Sequence, residues 1–503
     1  MLDIANNLMT GFQLVFSVHV LSYAVLGCVV GTLVGILPGL GPLAGLSLLL
    51  PLTYGLEPTT AIVLLGAIYY GAMYGGSTTS ILLRIPGEAA SVVTCMDGYA
   101  LARKGKAGTA LAIAAIGSFI AGTLAVVALM LVAPQVARFA LKFGPAEYVG
   151  LLSLGLVLLA YLSSGSKLRT LVMALAGLAL GMVGIDPLSG YGRFMFNIPD
   201  LGDGIGIVPL AVGLFGISEV LMSASDKTTH VIKSPTLREM MPSKEEMKEM
   251  LPPCLRGAGI GFVIGIIPGS AHIISSFISY AVERRISKHP EQFGEGAIAG
   301  VSGPESANNA AASSAFVPML ALGLPAGAVP AVMLSALMMH GITPGPNLIQ
   351  DRPELYWGFV ASMYVGNLVL LMLNLPLVSL FVSVLRIPYT YLYPIILTFC
   401  IIGVYTTNSS VVDLWVMFGA GIAGYFLRRN GFDVAPLVLG FVLAAMFEMS
   451  LRQALTLSSG SLLIFVERPM AAVLLSITLS MVLYGAWGAW AGRNDKMREK
   501  MGL

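Results

Sequence analysis

A chain of 503 residues in which 56% are apolar and only 11% charged, with a mean hydropathy of +0.85, has too few ionic groups to wet a globular surface; soluble domains carry about 25%. No stretch is suited to folding as a separate soluble domain, and a net charge of +2 gives no sign of a nucleic-acid partner. The composition describes an all-α polytopic membrane protein, and 58 glycines and 28 prolines supply close helix contacts and interrupted helices that a simple anchor does not need.

Lys and Arg are missing from the first twenty residues, so a cleavable signal peptide is not expected and the first span stays in the mature chain. After a weakly apolar start, residues 16–37 form that span, and it runs into G-T-L-V-G-I-L-P-G-L-G-P (Gly31–Pro42). The pair Pro38-Gly39 removes a backbone donor and relaxes the next residue, so the helix breaks there. Residues 40–54 are too short to cross at full thickness and read as a half helix or re-entrant segment. A span over 58–74 leads into G-G-S-T-T-S-I-L-L-R-I-P-G-E (Gly75–Glu88), polar and closed by Pro-Gly, which reads as a second re-entrant hairpin. D-G-Y-A-L-A-R-K-G-K-A-G is expected to be a solvated loop. Spans follow near 109–133, 146–163, 168–184 and 205–222, and then a hydrophilic stretch, 223–255.

The order then repeats. Gly31, Gly35, Pro38 and Gly39 recur as Gly261, Gly265, Pro268 and Gly269, within an interrupted segment over 255–283. A charged loop covers 283–292, and a second polar hairpin covers 304–327, its Leu324-Pro325 matching Ile85-Pro86. Spans near 356–378, 390–405, 411–427 and 434–449 complete the copy. Pro145 and Tyr148 return as Pro388 and Tyr391, and Pro209 and Gly213 as Pro436 and Gly440. Residues 470–490 form one helix beyond the repeat.

Basic residues mark cytoplasmic loops. Arg103, Lys104 and Lys106 face a counterpart near 342–352 with only Arg352, while Arg284, Arg285 and Lys288 face an uncharged loop at 54–58. Equivalent loops therefore alternate in charge, which points to two inverted-topology repeats rather than a parallel duplication. The expected division is a first repeat over 1–222, a cytoplasmic linker over 223–255, a second repeat over 256–452 and an additional helix and tail over 453–503. The N-terminus lies outside and the C-terminus inside.

The chain lacks H-E-x-x-H, a Walker loop, G-x-S-x-G and paired cysteines, so nothing reads as a catalytic engine or resident metal centre. Cys28, Cys95, Cys254 and Cys400 are scattered and read as packing residues. Broken backbone at membrane depth is tolerated where protein or a water-filled cavity satisfies it, and free N–H groups at helix starts can receive an anion. The substrate-binding candidates are Pro38, Gly39 and Gly41 at the first break, Gly75, Gly76, Ser77, Thr78 and Thr79 in the first polar segment, Pro268, Gly269 and Ser270 at the second break, and Asn308, Asn309, Ser313 and Ser314. The hydroxyl run serves a carboxylate, a small cation or plain helix packing. Glu305, with Asn308 and Asn309, is the candidate for a coupling ion, against the alternatives of helix capping and unwound backbone. Arg84 either grips a carboxylate or snorkels to the interface. His272 either donates to an anion or is structural.

L-P-G-L-G-P followed by L-L-L-P-L-T, Y-G-G-S-T-T-S-I-L-L-R-I-P-G, V-V-T-C-M-D-G-Y-A-L-A-R-K-G-K-A-G, P-E-S-A-N-N-A-A-A and H-G-I-T-P-G-P span nearly the whole chain. Together they resemble the large membrane subunit of the tripartite tricarboxylate transporters. The resemblance implies a translocating subunit in the bacterial inner membrane that works with a small membrane subunit of about four helices and a periplasmic solute-binding protein. It further implies no cofactor and import of tri- or dicarboxylates by alternating access, coupled to a cation gradient of sodium or protons. A passive anion channel or pore is the alternative. Ser313-Ser314 stands where the family has Gly-Gly, and the second break reads P-G-S-A-H; both bear on substrate choice.

Overall fold

Lipid leaves backbone groups no solvent partner, so helices are the economical solution for an apolar chain. The computed structural model describes residues 2–37, 41–162, 166–186, 190–223, 239–269, 271–384 and 389–501. Among them the first half runs α1 (Leu2–Val15), α2 (Val18–Ile36), α3 (Gly41–Leu49), α4 (Pro58–Leu83), α5 (Thr94–Leu101), α6 (Ala107–Ala140), α7 (Pro145–Leu162), α8 (Lys167–Leu180), α9 (Ile207–Ala211) and α10 (Ser218–Ser223). A π-helical stretch, Val212–Ile217, joins α9 to α10. Between α8 and α9, β1 (Gly184–Ile185) pairs antiparallel with β2 (Gly192–Arg193). The second half runs α11 (Lys244–Gly265), α12 (Ala271–Ile286), α13 (Ala299–Ser314), α14 (Phe316–Leu322), α15 (Ala328–Met339), α16 (Leu348–Asp351), α17 (Pro353–Asn374), α18 (Val378–Val384), α19 (Tyr389–Asn408), α20 (Val411–Arg429) and α21 (Ala435–Leu457). Then come α22 (Ile464–Glu467) and α23 (Pro469–Met501), which packs on α7. Among the described residues, 5 helical stretches are long and apolar enough to cross a membrane, Thr94–Ala140 counting as one.

Glycines decide the packing of the inner helices. On α2, an added Cβ at Gly27, Gly31 or Gly35 would lie 2.7, 2.3 or 2.2 Å from the carbonyl oxygens of Leu64, Ile68 and Ala72 on α4. On α11, Gly257, Gly261 and Gly265 would meet the oxygens of Gly303, Ala307 and Ala311 on α13 at 2.3, 2.1 and 2.5 Å. Backbones approach this closely only where side chains are absent. The two ladders use residues at matching places of the two halves. Gly27 and Gly257 extend the matched set beyond the four pairs visible around the breaks.

The outer helices pair across the halves instead. Gly213 lies against Met417 of α20, its Cβ position 2.3 Å from that oxygen, and Gly440 of α21 lies against Ala174 of α8 at 2.1 Å. At the centre the halves meet through Tyr69, Phe316 and Phe359, whose rings stand edge to face with centroids 5.9 and 5.0 Å apart. Cys28, Cys95, Cys254 and Cys400 are buried free thiols.

Several expectations change. The helix beginning at Pro58 does not stop at residue 74 but continues to Leu83, carrying Gly75 through Ser80 within it. It ends where Arg84 turns left-handed (φ 59°), and α14 ends on Gly323 in the same conformation (φ 70°), 239 positions later. The expected solvated loop holds α5 in its first part, with Asp97 fully buried, and exposure is confined to Arg103 through Lys106. The weakly apolar start is helical because α1 lies along α17, where Gly11 admits the Trp357 carbonyl. The second repeat's first helix begins at Lys244 rather than 255. Ser243 and Glu246 form its capping box, and Lys106 pairs with Glu246 at 2.8 Å and holds that carboxyl below the usual range. Residues 224–238 of the expected linker lie outside the described residues.

Candidate functional site

The broken helices converge. A cavity of about 390 Å³ is lined by Gly41 and Pro42 at the start of α3, by Pro86, Gly87 and Glu88 after α4, by Gly269 and His272 at the start of α12, and by Ala328 at the start of α15. Three helices of 9, 16 and 12 residues thus open on one space with their N-termini, and free N–H groups with the positive end of each dipole favour an anion there. Backbone contacts hold the ends together. Gly269 N–H donates to Ala326 O at 2.8 Å, and Gly87 fits between Gly35 O and Gly76, where a Cβ would stand 2.3 and 2.5 Å from each. Phe215 of the π-helical stretch and Leu439 of α21 supply part of the apolar lining.

Behind the cavity lies a buried polar network joining the halves. Glu305 of α13 accepts from Ser77 of α4 at 2.5 Å on one oxygen and from Thr94 of α5 on the other. Asn309 donates to Ser118 of α6 at 2.7 Å and to the Glu305 carbonyl at 3.1 Å. Asn308 donates to Glu88 at 2.8 Å, which also caps the short turn Ala89–Val92 by accepting from Ala90 N–H at 2.9 Å. Burial of such groups is tolerable only with these donors in place. Glu88 belongs to both regions, lining the cavity and closing the network.

The expected site residues therefore fall into separate groups. Gly41 and Gly269 line the cavity, and Pro268 sits half-buried in the turn before it. Pro38, Gly39 and Ser270 lie outside the described residues. Gly75 and Gly76 are packing glycines inside α4, against Thr32 O and Glu88. Ser77 serves the network, while Thr79 returns its hydroxyl to Gly76 O at 3.1 Å. Thr78 lines only a space of about 10 Å³ with Ser118 and Asn374. Asn308, Asn309 and Glu305 meet in the network. Ser313 and Ser314 are buried away from the cavity, and Ser314 caps carbonyls of Gly261 and Ala311 at 3.5 and 3.3 Å. His272 faces the cavity, whereas Arg84 is exposed and lies over the Tyr99 ring at 5.8 Å.

Sequence reasoning missed Glu88, Thr94 and Ser118, and also Glu219, Arg428 and Asp433 of the cavity wall. A carboxylate directly after Pro86-Gly87 in apolar surroundings was the available signal for Glu88. The others come from distant helices and carry no local pattern. Among the described residues, no three His, Cys, Asp or Glu side chains gather to hold a metal ion.

A second space of about 370 Å³ is lined by Leu322, by Thr343 through Pro346 of the H-G-I-T-P-G-P segment and the adjoining Asn347, and by Met446 and Ser450 of α21. It shares no lining residue with the first. The break from Gly323 to Gly327 lies between Leu322, which lines one, and Ala328, which lines the other.

Residues 21–439 match the family described as "Tripartite tricarboxylate transporter TctA family". A protein of Agrobacterium vitis described as "Uncharacterized 52.8 kDa protein in TAR-I ttuC' 3'region" is 46% identical over 497 residues, covering 99% of this chain and 99% of that protein. A second from the same organism, "Uncharacterized protein in TAR-II ttuC' 3'region", is 46% identical over 237 residues, 47% of this chain and 98% of its own length. No solved structure matches.

Proposed function

Since the chain belongs to the tripartite tricarboxylate transporter TctA family, whose members are transport proteins and not enzymes, we propose that it is the translocating subunit of a binding-protein-dependent secondary transporter importing tri- or dicarboxylates. It is a multi-pass inner-membrane protein. The observation that carries the reading is the meeting of three broken-helix N-termini on one cavity, because an anion leaving water needs donors already aimed at it. Its partners are a small membrane subunit and a periplasmic binding protein, and uptake is coupled to a cation gradient. Two cavities on either side of the Gly323–Gly327 break favour alternating access over a continuous pore. The moving unit in this reading carries both helix pairs of the glycine ladders.

Uptake of labelled citrate and succinate into proteoliposomes holding the chain and its small partner, with binding protein outside, tests this. Accumulation above the external concentration that needs both the cation gradient and the binding protein is expected. Equilibration without accumulation would replace the carrier by a pore.

The matched glycine ladders and the two left-handed helix ends support the repeat, and the alternating charge of equivalent loops supports its inversion, with the N-terminus periplasmic and the C-terminus cytoplasmic. Single cysteines placed near 56 and near 286 are expected to react with an impermeant thiol reagent from opposite sides of the membrane. Reaction from the same side would remove the inversion.

A further inference from the structure

The cavity has the wrong charge for its proposed cargo, and this inference rests on that transport reading. Among the described residues its charged lining is Glu88, Glu219, Asp433 and Arg428, three carboxylates against one guanidinium. Arg428 is held by Glu219 at 2.6 Å and by Ser218 at 3.2 Å, and Asp433 accepts from Ala435 N–H at the start of α21 at 2.9 Å. The donors on Glu88 are neutral: Asn308 Nδ2 at 2.8 Å and Ala90 N–H at 2.9 Å. At the other end of that same amide, Asn308 Oδ1, in a residue 1% exposed, is buried with no hydrogen-bond donor among the described residues. A carboxylate on the cavity wall is thus hydrogen-bonded to an amide whose own carbonyl oxygen, buried behind the wall, is left without a donor among the described residues. Both are hard oxygen ligands of the kind that hold small cations.

We propose that Glu88 and Asn308 bind the coupling cation, an alkali ion of sodium's size, and that its charge admits a carboxylate to a cavity otherwise rich in acid. Like charges in a low-dielectric space repel strongly, so a substrate carboxylate beside an uncompensated Glu88 is disfavoured. A cation on Glu88 removes that repulsion. Linkage then makes the effect mutual: substrate tightens the cation as the cation tightens substrate. Transport coupling follows from that reciprocity with no need for direct contact between the two.

Sodium itself is the probe. Thermal unfolding of the purified chain is followed against sodium chloride, with choline chloride keeping ionic strength constant, for the native chain, Glu88→Gln, Glu88→Asp and Asn308→Ala. The native chain is expected to be stabilised by sodium in a saturable way. Glu88→Gln and Asn308→Ala should raise the half-saturating concentration about tenfold or more, and Glu88→Asp, which keeps the charge, should restore a saturable response. Each variant is first checked for a monodisperse profile, and Glu88→Asp with Asn308→Ala decides the matter if Glu88→Gln does not fold. An unchanged sodium response in Glu88→Gln and Asn308→Ala overturns the proposal, as does a native chain that responds to pH and not to sodium. Failure of the liposome experiment would remove the transport reading, whereas accumulation with an unaltered sodium response in the variants would remove this inference alone.

Discussion

Gly261→Leu is expected to prevent α11 from seating on α13 and to yield little monodisperse protein. The added Cβ would stand 2.1 Å from Ala307 O and 2.8 and 2.9 Å from two further backbone atoms of that residue, so no rotamer relieves the clash and one helix must move. Overpacking against side chains costs roughly 1–3 kcal/mol, and against fixed backbone the loss should reach about 3 kcal/mol or more. The displaced helix carries Glu305, Asn308 and Asn309, so the polar network would open with it. Gly259 on the same helix supplies the control, because its Cβ position meets nothing within 4 Å. Gly259→Leu should be neutral or slightly stabilising, as Leu favours helix over Gly by up to about 1 kcal/mol. Thermal midpoints in detergent compare the two. A native-like midpoint for Gly261→Leu would refute the close approach of α11 and α13.

Asp97→Ala is expected to cost about 3 kcal/mol or more, because three backbone donors lose their acceptor at once. One oxygen of Asp97, which is fully buried, accepts N–H groups of Gly294, Gly296 and Ala297 at 2.8, 2.7 and 2.7 Å. Gly294 and Gly296 adopt φ of 91° and 107° to turn those donors inward, and Gly300 leaves room for the carboxylate on the other side. Truncation leaves three donors without their acceptor, each worth about 1–3 kcal/mol where buried. Asp97→Asn keeps an acceptor oxygen and should lose less. The clamp ties α5 of the first half to the turn leading into α13, so Asp97→Ala should also expose the segment 287–298 to protease. Unchanged stability and unchanged cleavage would show that the three donors find other partners.

Much of the architecture is written locally. Pro38-Gly39 and Pro268-Gly269 in apolar surroundings announce interrupted helices, since proline lacks the donor that a continuing helix requires. Of the two, the structure describes the second, with α11 ending at Gly265 and α12 starting at Ala271. Predicted spans near 146–163, 168–184 and 411–427 meet α7, α8 and α20 within a few residues, because long apolar runs leave lipid little choice. Glu305, Asn308 and Asn309 were visible as polar groups in an alanine-rich run that had to find partners.

The partners themselves were not visible. The span expected to end at residue 74 instead carries Gly75 and Gly76 on within α4, where α2 and Glu88 approach too closely for any side chain. Ser77 looked like part of a ligand-facing run, and its hydroxyl is taken by Glu305, 228 positions away. Asp97 looked solvated, and its donors come from residues near 296. Composition, spans and most breaks follow from covalent and solvation rules acting over a few residues, and the sequence by itself determined those. Which broken ends share a cavity, and which carboxylate faces it, depends on contacts between distant helices, and only the tertiary structure decided that.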